Sequence, residues 1–274
     1  MPDKIYFTPN IDNLIKSEEK SFISQLIKDS KGSLSKLGKP NPLFKGRKEE
    51  VQAVLETLAK KRMRNCILVG DAGIGKTEIA KKALSKSDDI ILNLDSYMLQ
   101  ANCTLVGMFE QKVHDIIAPI SQRNKENQRK IILFIDEIHV LWRLGKNDFV
   151  GTVSFGDIIK PYLSDGSLTI IGATTKSEYE SIIKKDKALL RRLPPIFIKG
   201  MDDEETFQIV KSFGNKMLTD DVCRKIVKES KKIAYLNNPD CSLEIADRAM
   251  AKAVINQAVP EEGDIESIVS LMQE

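Results

Sequence analysis

The sequence predicts an α/β fold: a parallel five-stranded sheet between helices, followed by a small all-helical domain. Three observations lead there. Short apolar runs alternate with amphipathic stretches from about residue 47 to residue 200. That alternation is the pattern of strands joined by helical crossovers. The runs are nearly continuous, as in Ile131-Ile132-Leu133-Phe134-Ile135, which fits strands covered on both faces. From Met201 onward no further strand pattern occurs, and apolar residues recur at helical spacing.

Taken in order, residues 11–29 place Leu14, Ile15, Phe22, Ile23, Leu26 and Ile27 at helical spacing. "SKGSLSKLGKPNP" follows, rich in Gly, Ser, Lys and Pro, and reads as a linker. Residues 1–40 are therefore expected to be a helical extension and linker. A helix over "RKEEVQAVLETLAKKRM" leads to a strand at 66–69, a helix at about 76–86 and a strand at 89–94. A helix at about 107–121 and a polar connector, "SQRNKENQ", precede the strand at 130–136. A helix near 155–164 and strands at 167–174 and 194–200 complete an expected nucleotide-binding unit at 41–199. In the helical unit at 200–274, Asp202, Thr219 and Ser242 are candidate N-caps.

Composition narrows the function. The 274 residues are 42% hydrophobic and 30% charged, with a net charge of +3, so charge alone does not point to nucleic acid. The basic run Lys60–Arg64 ends an expected helix, where cations oppose the dipole. No apolar run is long enough for a membrane span, and the N-terminus lacks a secretory pattern. Four cysteines without CxxC spacing and two histidines argue against a metal centre, and point to a reduced, cytoplasmic chain.

Chemistry concentrates at strand ends. Gly70-Asp71-Ala72-Gly73-Ile74-Gly75-Lys76-Thr77 matches G-x-x-x-x-G-K-[ST] in full. It lies between a strand and a helix. Glycines there let successive amides turn inward around an anion, and the next helix adds its positive end. Lys76 would reach the β- and γ-phosphates of ATP, and Thr77 would ligate Mg²⁺. Asp136 and Glu137 end the strongest strand. Asp136 would hold the metal through water, and Glu137 would activate the attacking water. Thr174 ends another strand, where a hydroxyl would sense the γ-phosphate. Arg191 and Arg192 precede Pro194-Pro195, and the residues alone leave an arginine finger and a solvated pair equally open.

With these motifs in register, the chain resembles the AAA+ ATPases, P-loop NTPases, and within them the first nucleotide-binding domain of Clp-type unfoldases. The stretches that carry the resemblance are residues 41–84, "KIILFIDEIHVLW", residues 156–193 and "NPDCSLEIADRAM". The resemblance implies that Thr174 is the sensor threonine. It implies that Arg191 and Arg192 reach the nucleotide of a neighbouring subunit, in a homo-oligomer that is a ring, usually of six, or a filament-like assembly. Phe44–Arg47, the loop through Glu78, and the lid near Pro239-Asp240 would line the nucleotide. It also implies a pore loop contacting protein clients, in which Leu105 stands where the family has tyrosine. Two other functions stay open: a helicase-loader-like nucleic-acid accessory, and an ATP-dependent assembly switch with little turnover. Nucleic acid and membrane are not the expected partners.

Overall fold

The computed structural model describes residues 11–101, 103, 107–143 and 154–273. The helices α1 (Ile11–Asp29), α2 (Lys48–Ala59) and α3 (Lys76–Leu84) and the strands β1 (Leu34–Lys36), β2 (Cys66–Val69) and β3 (Ile90–Leu94) open the chain. Then come α4 (Ser96–Gln100), α5 (Met108–Glu126), β4 (Ile131–Ile135), α6 (His139–Arg143), α7 (Phe155–Ser164) and β5 (Thr169–Thr174). Short helices α8 (Lys176–Ser181) and α9 (Lys187–Leu190) lead to β6 (Pro195–Phe197). Helices α10 (Asp203–Gly214), α11 (Asp220–Ser230), α12 (Asp240–Asn256) and α13 (Glu262–Met272) form the C-terminal group.

The sheet runs β1-β3-β4-β5-β2-β6, and β3 through β6 are parallel. Alternation along each strand divides its side chains between two cores. Ile67, Val69, Ile131, Leu133 and Ile135 join one core with α1, α5 and α7. Cys66, Leu68, Ile132 and Phe134 join the other with α2 and α3. Both faces are therefore dry, as the unbroken apolar runs require.

The sheet has six strands where the sequence predicts five. β1 lies in the stretch read as a linker and pairs antiparallel with β3, Leu34 opposite Leu94. Leu34 is its one apolar residue and is buried, while Ser35 and Lys36 face out. A three-residue strand with one apolar side chain gives too little periodicity to detect. Ser33 extends the pairing by accepting from the Asp95 amide at 2.9 Å. Above it, α1 buries Ile23 and Leu26 in the core. Leu34→Ala should therefore lower the unfolding free energy by about 2–4 kcal/mol, measurable by urea denaturation.

The polar connector after residue 120 is also helix. Ser121 and Asn124 face inward but are satisfied. Ser121 Oγ donates to Ser167 Oγ at 2.7 Å. The Asn124 amide donates to the Ile131 and Ser167 carbonyls, and its oxygen accepts from the Ile131 amide. The helix continues because these side chains bond the starts of β4 and β5, a long-range pairing that hydropathy does not register.

The C-terminal helices enclose their own core, including Phe207, Val210, Ile226, Ile245, Ile265 and Val269. Asp202 and Thr219 cap α10 and α11 as expected. Ser242 does not cap. α12 starts at Asp240, and the Asn238 side chain instead accepts from the Ser242 amide and hydroxyl. α13 lies beyond the expected helices.

Candidate functional site

The carboxyl ends of β2, β5 and β4 lie side by side and carry the site. β5 is between the other two, and its Thr174 pairs with Val69. The Gly70 amide then donates to the Thr174 carbonyl at 3.2 Å, so the glycine loop departs from this point. Gly73 and Gly75 have φ of +76° and +93°, the left-handed region that costs other residues. A Cβ on Gly75 would meet nothing within 4 Å, so the loop is open at that point. A Cβ on Gly73 would come within 2.8 Å of the Asp240 side chain on α12.

Two other segments hold the loop. The Arg47 guanidinium is buried and donates to the Ile74 carbonyl at 3.1 Å and the Lys199 carbonyl at 2.7 Å. From the helical group, the Asn237 side-chain amide donates to the Ala72 carbonyl at 3.1 Å, and the Asp240 amide to the Gly73 carbonyl at 3.4 Å. Arg47 is thus committed to these carbonyls and to the Glu50 carboxylate at 2.8 Å, and Phe44 is half-buried against the α2–α3 core. Glu78 accepts from the Asn41 amide and pairs with Lys81, fastening the segment before Phe44 to α3.

Lys76 opens α3 and is 7% exposed. Its Nζ donates to the Gly70 and Asp71 carbonyls at 2.9 and 2.8 Å and has no ion pair among the described residues. Burial pushes its pKa below 10.5, against the carboxylates of Glu137, Asp136 and Asp71, which raise it. Thr77 Oγ1 donates to Asp136 Oδ2 at 2.7 Å, joining the loop to the end of β4. Glu137 follows at φ +47°, an uncommon conformation for a side chain of its size. The Ile138 amide, bonded to the Ala173 carbonyl at 3.0 Å, fixes that turn beside β5. Gly172 makes room there, since a Cβ would meet Ile138 Cδ1 at 2.8 Å.

His139 is buried, with Nδ1 3.0 Å from Thr174 Oγ1 and 3.2 Å from Glu137 Oε2. The structure therefore brings Lys76, Thr77, Asp136, Glu137 and Thr174 together across three strand ends. Arg191 and Arg192 follow α9 and have no hydrogen bond to this group. Arg192 donates to Ser164 Oγ and the Ala188 carbonyl, both at 2.6 Å. Arg191 is exposed. Leu105 lies outside the described residues. Arg47, Asn237 and His139 have positioning contacts that sequence reasoning did not assign. Arg47 and His139 fell inside stretches that carried the resemblance, but their contacts need the fold.

These features fit a nucleotide with its metal. The loop leaves open space at Gly75, and a buried ammonium is hydrogen-bonded only to main-chain carbonyls. The residues opening α3 present amides that lack helical acceptors. No cluster of three or more His, Cys, Asp or Glu suited to a metal occurs among the described residues. Mg²⁺ at Thr77 and Asp136 would thus take its other ligands from phosphate and water, its usual preference.

A glycine loop between a parallel strand and a helix, with an acidic residue ending a nearby strand, defines a P-loop nucleotide-binding domain. Residues 66–200 match the family described as ATPase family associated with various cellular activities (AAA). Chaperone protein ClpB of Aquifex aeolicus (strain VF5) is 31% identical over 280 residues, covering 95% of this chain and 27% of that protein. The ATP-dependent Clp protease ATP-binding subunit ClpE of Bacillus subtilis (strain 168) is 31% identical over 265 residues, covering 90% and 37%. Among solved structures, an S. cerevisiae Hsp104-ADP complex has a TM-score of 0.74 at 27% identity, covering 88% of this chain and 44% of that one. A closed-state cryoEM reconstruction of Hsp104 with ATPyS and FITC casein has a TM-score of 0.73 at 28% identity, covering 90% and 45%. The chain carries an AAA+ ATPase domain of the Clp chaperone type. It spans between a quarter and two fifths of the length of these two curated relatives. The relatives do not favour the nucleic-acid accessory reading.

Proposed function

We propose that the chain binds Mg-ATP and hydrolyses it as one subunit of a ring, usually of six, that remodels protein clients. The observation that carries this reading is the Thr77–Asp136 hydrogen bond, beside the buried Lys76 ammonium. It supports reading Gly70–Thr77 as a phosphate cradle, Thr77 and Asp136 as a metal-binding pair and Glu137 as a water-activating acid, all at the carboxyl ends of neighbouring strands.

Gly70–Thr77 and Glu78 form the phosphate side of the site, and Phe44 flanks the base. Lys76 turns its ammonium from the Gly70 and Asp71 carbonyls toward the phosphates. Thr77 and Asp136 hold Mg²⁺, Asp136 through water. Mg²⁺ held there would supply positive charge to offset the negative charge that develops on the phosphate. Glu137 takes a proton from the attacking water, and Thr174 donates its hydroxyl to the γ-phosphate. Arg191 completes the site of the neighbouring subunit, and the loop containing Leu105 contacts an extended protein client. The setting is cytoplasmic.

The two arginines should separate. Arg191 has no intramolecular hydrogen bond or ion pair among the described residues, whereas Arg192 holds α7 to α9. Arg191→Ala should lower steady-state ATPase activity about 10-fold or more and leave thermal stability unchanged. Arg192→Ala should also lower the melting temperature by several degrees, since its two bonds are worth about 1–3 kcal/mol. Matching melting curves for the two variants would refute this division.

The deciding experiment compares ATPase stimulation by an unfolded protein with stimulation by single- and double-stranded DNA. Stimulation by protein is the expected result. Stimulation by DNA alone would replace the client reading with the nucleic-acid one.

A further inference from the structure

We infer that His139 is a positioning residue that sets the Thr174 hydroxyl as a hydrogen-bond donor and steers the Glu137 carboxylate. The inference rests on the ATPase reading above and adds a group to the same site. Its basis is one ring nitrogen facing two oxygens. Nδ1 is hydrogen-bonded to Thr174 Oγ1 at 3.0 Å, and Glu137 Oε2 lies 3.2 Å from the same atom.

The chemistry of those oxygens selects the tautomer. An ionised carboxylate only accepts, so a bare lone pair on Nδ1 would face a negative charge at contact distance. A hydrogen on Nδ1 removes that repulsion. Nδ1–H then donates to Thr174 Oγ1, which becomes an acceptor on that side. The single Thr174 hydrogen is then left for another acceptor. With the opposite tautomer the threonine would spend its hydrogen on the ring.

The surroundings hold this arrangement in place. Thr174 is fully buried, and its carbonyl accepts from Gly70, so neither end of the residue is free to shift. His139 is itself buried and starts α6, whose Leu141 and Trp142 are in the core. Glu137 is the more exposed partner, with a side chain 39% exposed. The histidine is thus a buried post between a buried hydroxyl and an acid that reaches solvent.

Substitutions can test the tautomer directly. Asn carries its amide nitrogen one bond beyond Cγ, where histidine carries Nδ1. Gln carries its amide one carbon further, beyond Nδ1. His139→Asn should keep kcat within about 3-fold of the unchanged protein. His139→Gln and His139→Leu should lower kcat about 10–100-fold, the usual effect of losing a group that orients a reacting residue. KM for ATP should change less than 3-fold in all three, by the same reasoning that the phosphate loop is untouched. All three are compared by circular dichroism and melting temperature. Equal kcat in the Asn and Leu variants, both folded, would overturn the inference.

A second measurement does not depend on turnover. Two-bond ¹H–¹⁵N spectra of the full chain, labelled at its histidine nitrogens, report which ring nitrogen carries hydrogen. His139→Asn identifies the His139 signals against those of His114. A protonated Nδ1 is expected, and a bare Nδ1 would overturn the inference even if hydrolysis proceeds. Absence of ATP hydrolysis by the unchanged protein, with Nδ1 protonated, would count against the ATPase reading and leave the tautomer assignment standing.

Discussion

Lys76→Ala should raise the Kd for Mg-ATP at least 100-fold, about 2.7 kcal/mol, while leaving the nucleotide-free protein at least as stable as before. The two halves of this expectation have one cause. The ammonium is almost fully buried, and its nearest partners are the Gly70 and Asp71 carbonyls rather than a carboxylate. Burial without an ion pair costs free energy, and it is the leading reason the pKa falls below 10.5. Three carboxylates nearby recover only part of that loss. Phosphate oxygens would recover the rest, since charge-assisted contacts are worth about 1.5–3 kcal/mol each. Alanine forfeits the phosphate contacts. It also removes a group whose burial burdens the empty protein. Titration calorimetry reads the first effect and urea denaturation the second.

The sign of the pH dependence provides a further check on the same group. Its folded-state pKa lies below the unfolded value, so between the two the unfolded chain binds more protons. Stability of the nucleotide-free protein therefore rises with pH across that interval. Saturating nucleotide should flatten this rise by restoring the charged form. Lys76→Ala should remove it altogether.

How much of this could be read from the sequence follows from how far apart the cooperating residues lie. Gly70–Thr77 is legible because the proposed cradle, lysine and metal-binding hydroxyl come from eight consecutive residues. The fold class is legible for a similar reason, since Ile131–Ile135 is a complete strand with no polar interruption. β1 is not legible because one leucine carries its pairing, and the partner strand is almost sixty residues away. Nor is the last turn of α5, where Asn124 bonds Ile131 and Ser167. The same limit applies in the site. Asp136 and Glu137 announce themselves at a strand end, but their hydrogen-bonded neighbours do not. Asn237 meets Ala72 across 165 positions, and Arg47 meets Lys199 across 152. Such contacts arise only once the sheet order has set which strand ends adjoin.

Glu137→Gln should bind Mg-ATP with near-normal affinity and hydrolyse it about 100- to 1,000-fold more slowly, the range expected for losing a general base. The substitution keeps shape and length, so the backbone turn should persist. That turn is the revealing feature. Glu137 has φ +47°, in a region where non-glycine residues cost roughly 1 kcal/mol or more. Glycine would relieve that cost, yet the position holds a carboxylate. The Ile138–Ala173 backbone bond enforces the turn and orients the acid away from the buried strand. Strain here is the consequence of placing a charge at the mouth of a dry sheet, within 3.2 Å of His139. Two measurements separate the acid from the turn. Glu137→Gly should raise stability slightly while lowering kcat as severely as Gln does, because the conformational cost disappears along with the base. Unchanged turnover in Glu137→Gln would assign water activation to another group.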